Sequence, residues 1–132
     1  MIEAISDTHA IIWYAWDDPR LSAKVRVVFQ TIRVAGGQVG ISSISLVEVV
    51  YLEEKRRIVP GTLRRVLDLL DLAELFIETP VTRDILSALA TIDRAQVPDM
   101  PDRIIAATAV HLGVPLISRD AKIQASSVTT IW

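Results

Sequence analysis

The chain has no cysteine and only two histidines, His9 and His111. That excludes disulfides, zinc-thiolate sites and a cysteine nucleophile, and leaves too little imidazole for a nitrogen-rich zinc centre. Any metal must be held by oxygen. Although 51% of the 132 residues are hydrophobic and the mean hydropathy is +0.39, no apolar run approaches the roughly 18 residues of a membrane span. The opening MIEAISD lacks the basic start and apolar stretch of a secretion signal, so a cytoplasmic location is expected. A net charge of -2 lacks the basic excess of a general nucleic-acid coat. There is no repeat and no low-complexity tract, and the length fits one domain, residues 1–132, with a large core.

What is present is an alternation of short apolar runs and longer helical patterns. Ile2 to Ser6 reads as a strand and Thr8 to Trp16 as a helix, stopped by DDPR. Ser22 caps a second helix over Ala23 to Ala35, ended by Gly36 and Gly37, and Gln38 to Ser42 is the next strand. ISLVEVVYLEEKRR is a third helix, Gly61 to Ala73 a fourth with Leu63, Val66, Leu67 and Leu70 at helical spacing, ELFIETP a strand, and Thr82 to Asp93 a helix. A helix opened near Asp102 and the strands PLIS and VTTIW complete the chain. This order predicts an α/β fold, with a central, mainly parallel sheet covered by helices on both faces.

In such a sheet, ligands bind outside the carboxyl ends of the strands, where the strand order reverses. Asp7 follows the first strand, Asp120 follows PLIS, Asp102 opens a helix, and Glu48 lies one to two turns into the helix after the second strand. Each acid also has a local explanation. Asp7 and Asp120 can cap helices, Asp102 can be the third residue of a first turn begun by Asp99 with Pro101 inside it, and Glu48 can be solvated. The last is hardest to accept, because apolar residues at 46, 47, 49, 50 and 52 leave Glu48 little solvent face. If the four acids converge within about 4–6 Å, repulsion raises their pKa values unless a cation neutralises them. An all-oxygen set suits Mg²⁺ or Mn²⁺, which can activate water and clamp a phosphodiester without a protein nucleophile.

Three segments, DTHAIIWYAWDDPRLS, ISSISLVEVVYLEEKRRI and PDRIIAATAVHLGVPLISRD, occur in an order that resembles the PIN domain, and within it the VapC-like toxins of type II toxin-antitoxin pairs. The resemblance implies that Asp7, Glu48, Asp102 and Asp120 form an acidic catalytic and metal-binding quartet. It would hold one or two Mg²⁺ or Mn²⁺ ions and hydrolyse RNA as an endoribonuclease. Thr8 and Ser118 match positions beside the acids where the family often carries a hydroxyl. A homodimer and a cognate antitoxin are implied as partners. The loop from Ala95 to Pro101 lacks a histidine often found in relatives before this helix.

Setting the quartet aside leaves 12 acids against 14 Lys and Arg, so the acidic balance belongs to the pocket. Arg103 and Arg119 adjoin quartet acids and are candidate RNA contacts, with Arg20, Lys55, Arg56, Arg57, Arg64 and Arg65 further out. His9 is expected near the site and His111 at a helix end. Trp13, Tyr14 and Trp16 crowd one short helix, more rings than a single buried stripe takes, and suggest an apolar groove for an antitoxin helix. Two rivals remain. A phospho-receiver domain also binds Mg²⁺ at strand ends but wants an acid pair after strand one and a Lys-Pro element late in the chain. An inactive module with the same fold would not need the complete quartet.

Overall fold

The computed structural model describes residues 1–132. Five strands, β1 (Ile2–Ser6), β2 (Gln38–Ser42), β3 (Phe76–Thr79), β4 (Leu116–Ile117) and β5 (Thr130–Ile131), form one sheet in the order β3-β2-β1-β4-β5. Every adjacent pair is parallel. Parallel neighbours need crossovers, and helices supply them. Between β1 and β2 run α1 (Thr8–Ala15) and α2 (Ala23–Val34), and between β2 and β3 run α3 (Ser43–Glu54) and α4 (Thr62–Leu72). Then α5 (Arg83–Thr91) and α6 (Met100–Leu112) lead to β4, and α7 (Ala121–Gln124) to β5. No helix is long and apolar enough to cross a membrane.

Each expected element forms, with trimmed ends. The strand expected over ELFIETP narrows to Phe76–Thr79, and PLIS to Leu116–Ile117. Pro80 and Pro115 have no N–H to give to a ladder, which limits pairing at those ends.

Alternation along the strands divides the core between the two faces of the sheet. Ala4, Val39, Phe76 and Ile117 pack with Ile11, Val25, Phe29 and Val66 from α1, α2 and α4. Ile5 and Leu116, one residue out of step, pack with Ile85, Ile105 and Ala106 from α5 and α6. Full burial of each large apolar side chain is worth roughly 1.5–3 kcal/mol. Gly40 lies opposite Ile5 in register, and a Cβ there would come 2.5 Å from Ile5 Cδ1 and 2.8 Å from Thr79 Cγ2. Both neighbours are buried and cannot swing into solvent. Gly40→Ala is therefore expected to lower the unfolding free energy by about 1–2 kcal/mol in a urea titration, through overpacking. An unchanged midpoint would contradict it.

From β1 the chain steps outward through β2 to β3, then returns to add β4 and β5 on the other side. The reversal opens a crevice at the carboxyl ends of β1 and β4.

Candidate active site

The crevice receives its acids from four parts of the chain. Asp7 ends the loop from β1 and caps α1, its Oδ1 accepting from the Ala10 N–H at 2.8 Å. Asp120 follows β4 and caps α7, accepting from the Ile123 N–H at 3.0 Å. Asp99 caps α6 by accepting from the Asp102 N–H at 3.1 Å, with Pro101 inside the first turn. The cap of α6 is thus Asp99, and the Asp102 carboxylate accepts no hydrogen bond within the protein. Capping and site geometry coexist, since a cap engages one oxygen and leaves the other. Asp7, Glu48, Asp99, Asp102 and Asp120 line one cavity of about 420 Å³, together with His9, Trp13 and Arg119.

Glu48 reaches this cavity because α3 turns it inward. The Thr8 hydroxyl donates to Glu48 Oε1, and Ser45 Oγ lies 3.0 Å from Thr8 Oγ1. Thr8 and Ser45 are buried, so this hydroxyl pair fixes one oxygen of Glu48 and leaves the second toward the cavity. Ser118, also buried, accepts from the Asp120 N–H at 3.1 Å, and its hydroxyl favours the charged form of Asp7. Thr8 therefore orients Glu48, and Ser118 fixes the backbone at Asp120. Ser45, and Asp99 as part of the wall, are not among the site residues expected from the sequence.

Electrostatics set the character of the pocket. Burial pushes Asp7 above the usual carboxylate range, against the Ser118 hydroxyl and Ala10 N–H that lower it. Burial also raises Glu48, with Thr8 opposing and Asp99 adding repulsion. For Asp102, burial and then the charges of Asp99, Glu48, Asp120 and Asp7 all act in one direction, to about 7. No ion pair relieves any of these acids. Arg119, the guanidinium in the wall, lies over the Trp13 ring at 4.6 Å instead.

The acids share a wall without closing on one another. No three His, Asp or Glu side chains are gathered as tightly as a finished metal cage. The donor set is oxygen throughout, and Asp102 keeps a carboxylate free of protein donors. These residues fit a hard divalent cation such as Mg²⁺ or Mn²⁺.

The remaining candidates separate. Arg103, expected beside the pocket, is spent elsewhere: its Nε and Nη2 donate to the Ile92 carbonyl at 3.1 and 2.9 Å, and Nη2 also to Leu89 at 3.1 Å. It closes the C-terminal end of α5 against α6. Arg103→Met should cost about 1–2 kcal/mol of stability, measured by denaturant unfolding, because those carbonyls lose charged donors. Stability equal to wild type would sink this role. His9 is exposed and lines the cavity, 5.7 Å from Trp13. His111 sits in the last turn of α6. The aromatic cluster on α1 is not the open groove expected. Trp13 is buried against Trp132, Tyr14 packs edge-on to Phe29 and Phe76, and Trp16 donates to Thr62 at 2.9 Å. The helices α3 and α4 and Trp132 pack around α1, although Trp13 and the half-buried Trp16 still reach a cavity beside the exposed His9.

Solved structures resemble this fold over nearly its full length. The VapBC2 complex of Rickettsia felis bound to a promoter DNA fragment matches at TM-score 0.72 and 14% identity, over 99% of this chain and 98% of that one. The DNA-bound VapBC of Salmonella typhimurium matches at 0.71 and 18%, over 99% and 98%. A toxin-antitoxin complex from Klebsiella pneumoniae matches at 0.66 and 23%, over 98% and 97%. Among curated protein sequences, none is significantly similar. The PIN domain family model matches residues 4–127, nearly the entire chain, and with the reversed-order parallel sheet and acid-lined crevice described above this chain belongs to the PIN domain family.

Proposed function

We propose that the protein is a divalent-metal-dependent endoribonuclease and the toxin of a toxin-antitoxin pair. One observation carries the reading: Asp7, Glu48, Asp102 and Asp120, from distant parts of the chain, share one cavity with no ion pair among them, and Asp102 is pushed up to about 7 by burial and by the other acids. An uncompensated cluster of this kind costs stability, which is understandable if it serves a cation. Bound there, Mg²⁺ or Mn²⁺ would lower the pKa of water and neutralise the phosphodiester's charge.

The chain's own groups supply the rest. Asp7, Asp102 and Asp120 would hold the cation. Glu48, pinned at one oxygen by Thr8, would hold it with the other or take the proton from the attacking water. Water oxygen bonds to phosphorus as the bond to the 3′ oxygen breaks, leaving a 5′-phosphate and a 3′-hydroxyl. Arg119, held over Trp13, would face the phosphate. The toxin assignment rests on the toxin-antitoxin complexes among the structural relatives, and a cognate antitoxin and a homodimer belong to the same reading.

The test is brief induction without an antitoxin, followed by sequencing of RNA 5′ ends and by cleavage of the identified RNA with purified protein. Defined cut sites, reproduced with Mg²⁺ or Mn²⁺ and stopped by chelator, are expected. Undiminished, contamination-controlled cleavage in chelator would refute the metal requirement, and intact RNA in arrested cells would refute the nuclease.

A further inference from the structure

Beside the acidic cavity lies a second one of about 590 Å³. His9 and Trp13 line both, so the two adjoin along α1. The sign of the lining reverses there. The first cavity sets five carboxylates against one guanidinium, and the second sets Arg20, Arg56 and Arg57 against Asp18 alone. Asp18 is already satisfied, bound by Arg20 at 3.1 and 2.7 Å. Arg56 and Arg57 are exposed and have no carboxylate partner. Other arginines nearby are engaged: Arg64 pairs with Asp68 and Asp71, while Arg65 donates to the Ala15 carbonyl and covers Trp16.

The backbone supplies an independent sign. At the end of α3 the Arg57 N–H donates to the Leu52 carbonyl at 2.9 Å and the Arg56 N–H to Glu53 at 3.0 Å. This pair of bonds puts Arg56 in the left-handed region, φ 57°, where glycine is favoured. The same two bonds end α2 and α6, and there the position is Gly36 and Gly113. Of the three non-glycine residues in this conformation, Asp17 is bound to Arg26 and Ala73 is small. Arg56 projects an unpaired charge into a cavity wall, so local stability does not explain its identity.

We infer that this second cavity holds the nucleotide adjoining the scissile phosphodiester, its flanking phosphate against Arg56 and Arg57 and its base against His9 and the half-buried Trp16 and Ile58. The inference rests on the nuclease reading and names where its substrate continues. A single-stranded nucleotide combines the anionic and planar apolar parts that such a lining recognises. Two unpaired guanidiniums, Arg56 and Arg57, beside the closed Arg20–Asp18 pair favour a polyanion over a protein helix.

The test compares full-length wild type with an Arg56→Gln, Arg57→Gln double variant, both in chelator so that no cleavage intervenes. The probes are fluorescein-labelled single-stranded oligouridylate and oligoadenylate, read by anisotropy across a salt series. The double variant should bind roughly tenfold more weakly, with the slope of log affinity against log salt shallower by roughly 0.7 per lost phosphate contact. A Lys24→Gln, Arg83→Gln control, at positions that line neither cavity, should bind as wild type. Arg56→Gly should melt higher than wild type yet bind RNA less well, a combination a structural role would not produce. Unchanged affinity and slope in the double variant, or an equal loss in the control, overturns the inference. So does a double variant that keeps RNA affinity but no longer retains the co-expressed antitoxin, which would give the cavity to that protein. If wild type neither binds nor cuts RNA, the nuclease reading itself has failed and this one falls with it.

Discussion

Asp102→Asn should reduce metal-dependent RNA cleavage at least about a thousandfold, equivalent to about 4 kcal/mol of barrier. The amide keeps the size of the side chain but is a far poorer ligand for a hard cation, and Asp102 has no hydrogen bond of its own whose loss would disturb the fold. Asp7→Asn should have a comparable effect, although Asp7 also caps α1 through Ala10 and the change carries a structural component. Asn is a good cap, so that component is small. In cells, both substitutions should relieve growth arrest at equal soluble protein level. The decisive comparison is single-turnover cleavage of the mapped RNA by wild type and both variants at saturating Mn²⁺. Activity within about tenfold of wild type for Asp102→Asn would mean that the carboxylate contributes less than about 1.4 kcal/mol to the transition state, and the quartet would need reassignment.

How far the sequence disclosed this arrangement depended on whether a signal was local. Asp7 and Asp120 follow strands, and the end of a parallel strand already points to the crevice, so their positions were legible from the alternation of elements. Glu48 was legible from its apolar neighbours, which left it nowhere to go but inward. Asp99 was hidden by its own success as a cap: DMPD explained it without reference to a site, yet the residue also adds charge to the pocket wall. Ser45 was invisible because its meaning comes from Thr8, 37 residues away in sequence. Arg103 was misjudged by adjacency. Successive helical residues project about 100° apart, so the neighbour of an inward Asp102 is directed elsewhere, here to the end of α5. The rings of α1 misled for a related reason. A stripe argument assumes one buried face, and α1 is packed against the sheet, α3, α4 and Trp132 together.

The cost of the acidic cluster should also be visible without any RNA. Folded Asp102 keeps its proton to about pH 7, whereas its ordinary value is 3.8, so over the interval between them the folded state binds more protons than the unfolded chain. Stability of the metal-free protein must then fall as pH rises through that interval, the reverse of a carboxylate held down by a salt bridge. Asp7 and Glu48, also raised, act in the same direction. Because Asp102 is only half-buried and its charge is screened, the expected loss between about pH 5 and 8 is about 1–2 kcal/mol rather than the full electrostatic value. Metal should cancel it. Binding to the folded state alone adds about 2.7 kcal/mol at a hundred times Kd, and a gain of 1 kcal/mol raises the melting temperature of a domain this size by roughly 3–6 °C. Asp102→Asn should flatten the pH dependence, leave the metal-free protein at about pH 8 as stable as wild type or more so, and lose most of the Mn²⁺ shift. Thermal unfolding of both proteins in chelator and across a Mn²⁺ titration, at fixed protein concentration so that self-association does not move the transition, measures all three. A metal-free wild type whose stability rises over this pH range, or an Asn variant that is destabilised by more than about 1 kcal/mol and keeps the full Mn²⁺ shift, would make Asp102 part of the α6 cap and remove it from the metal site.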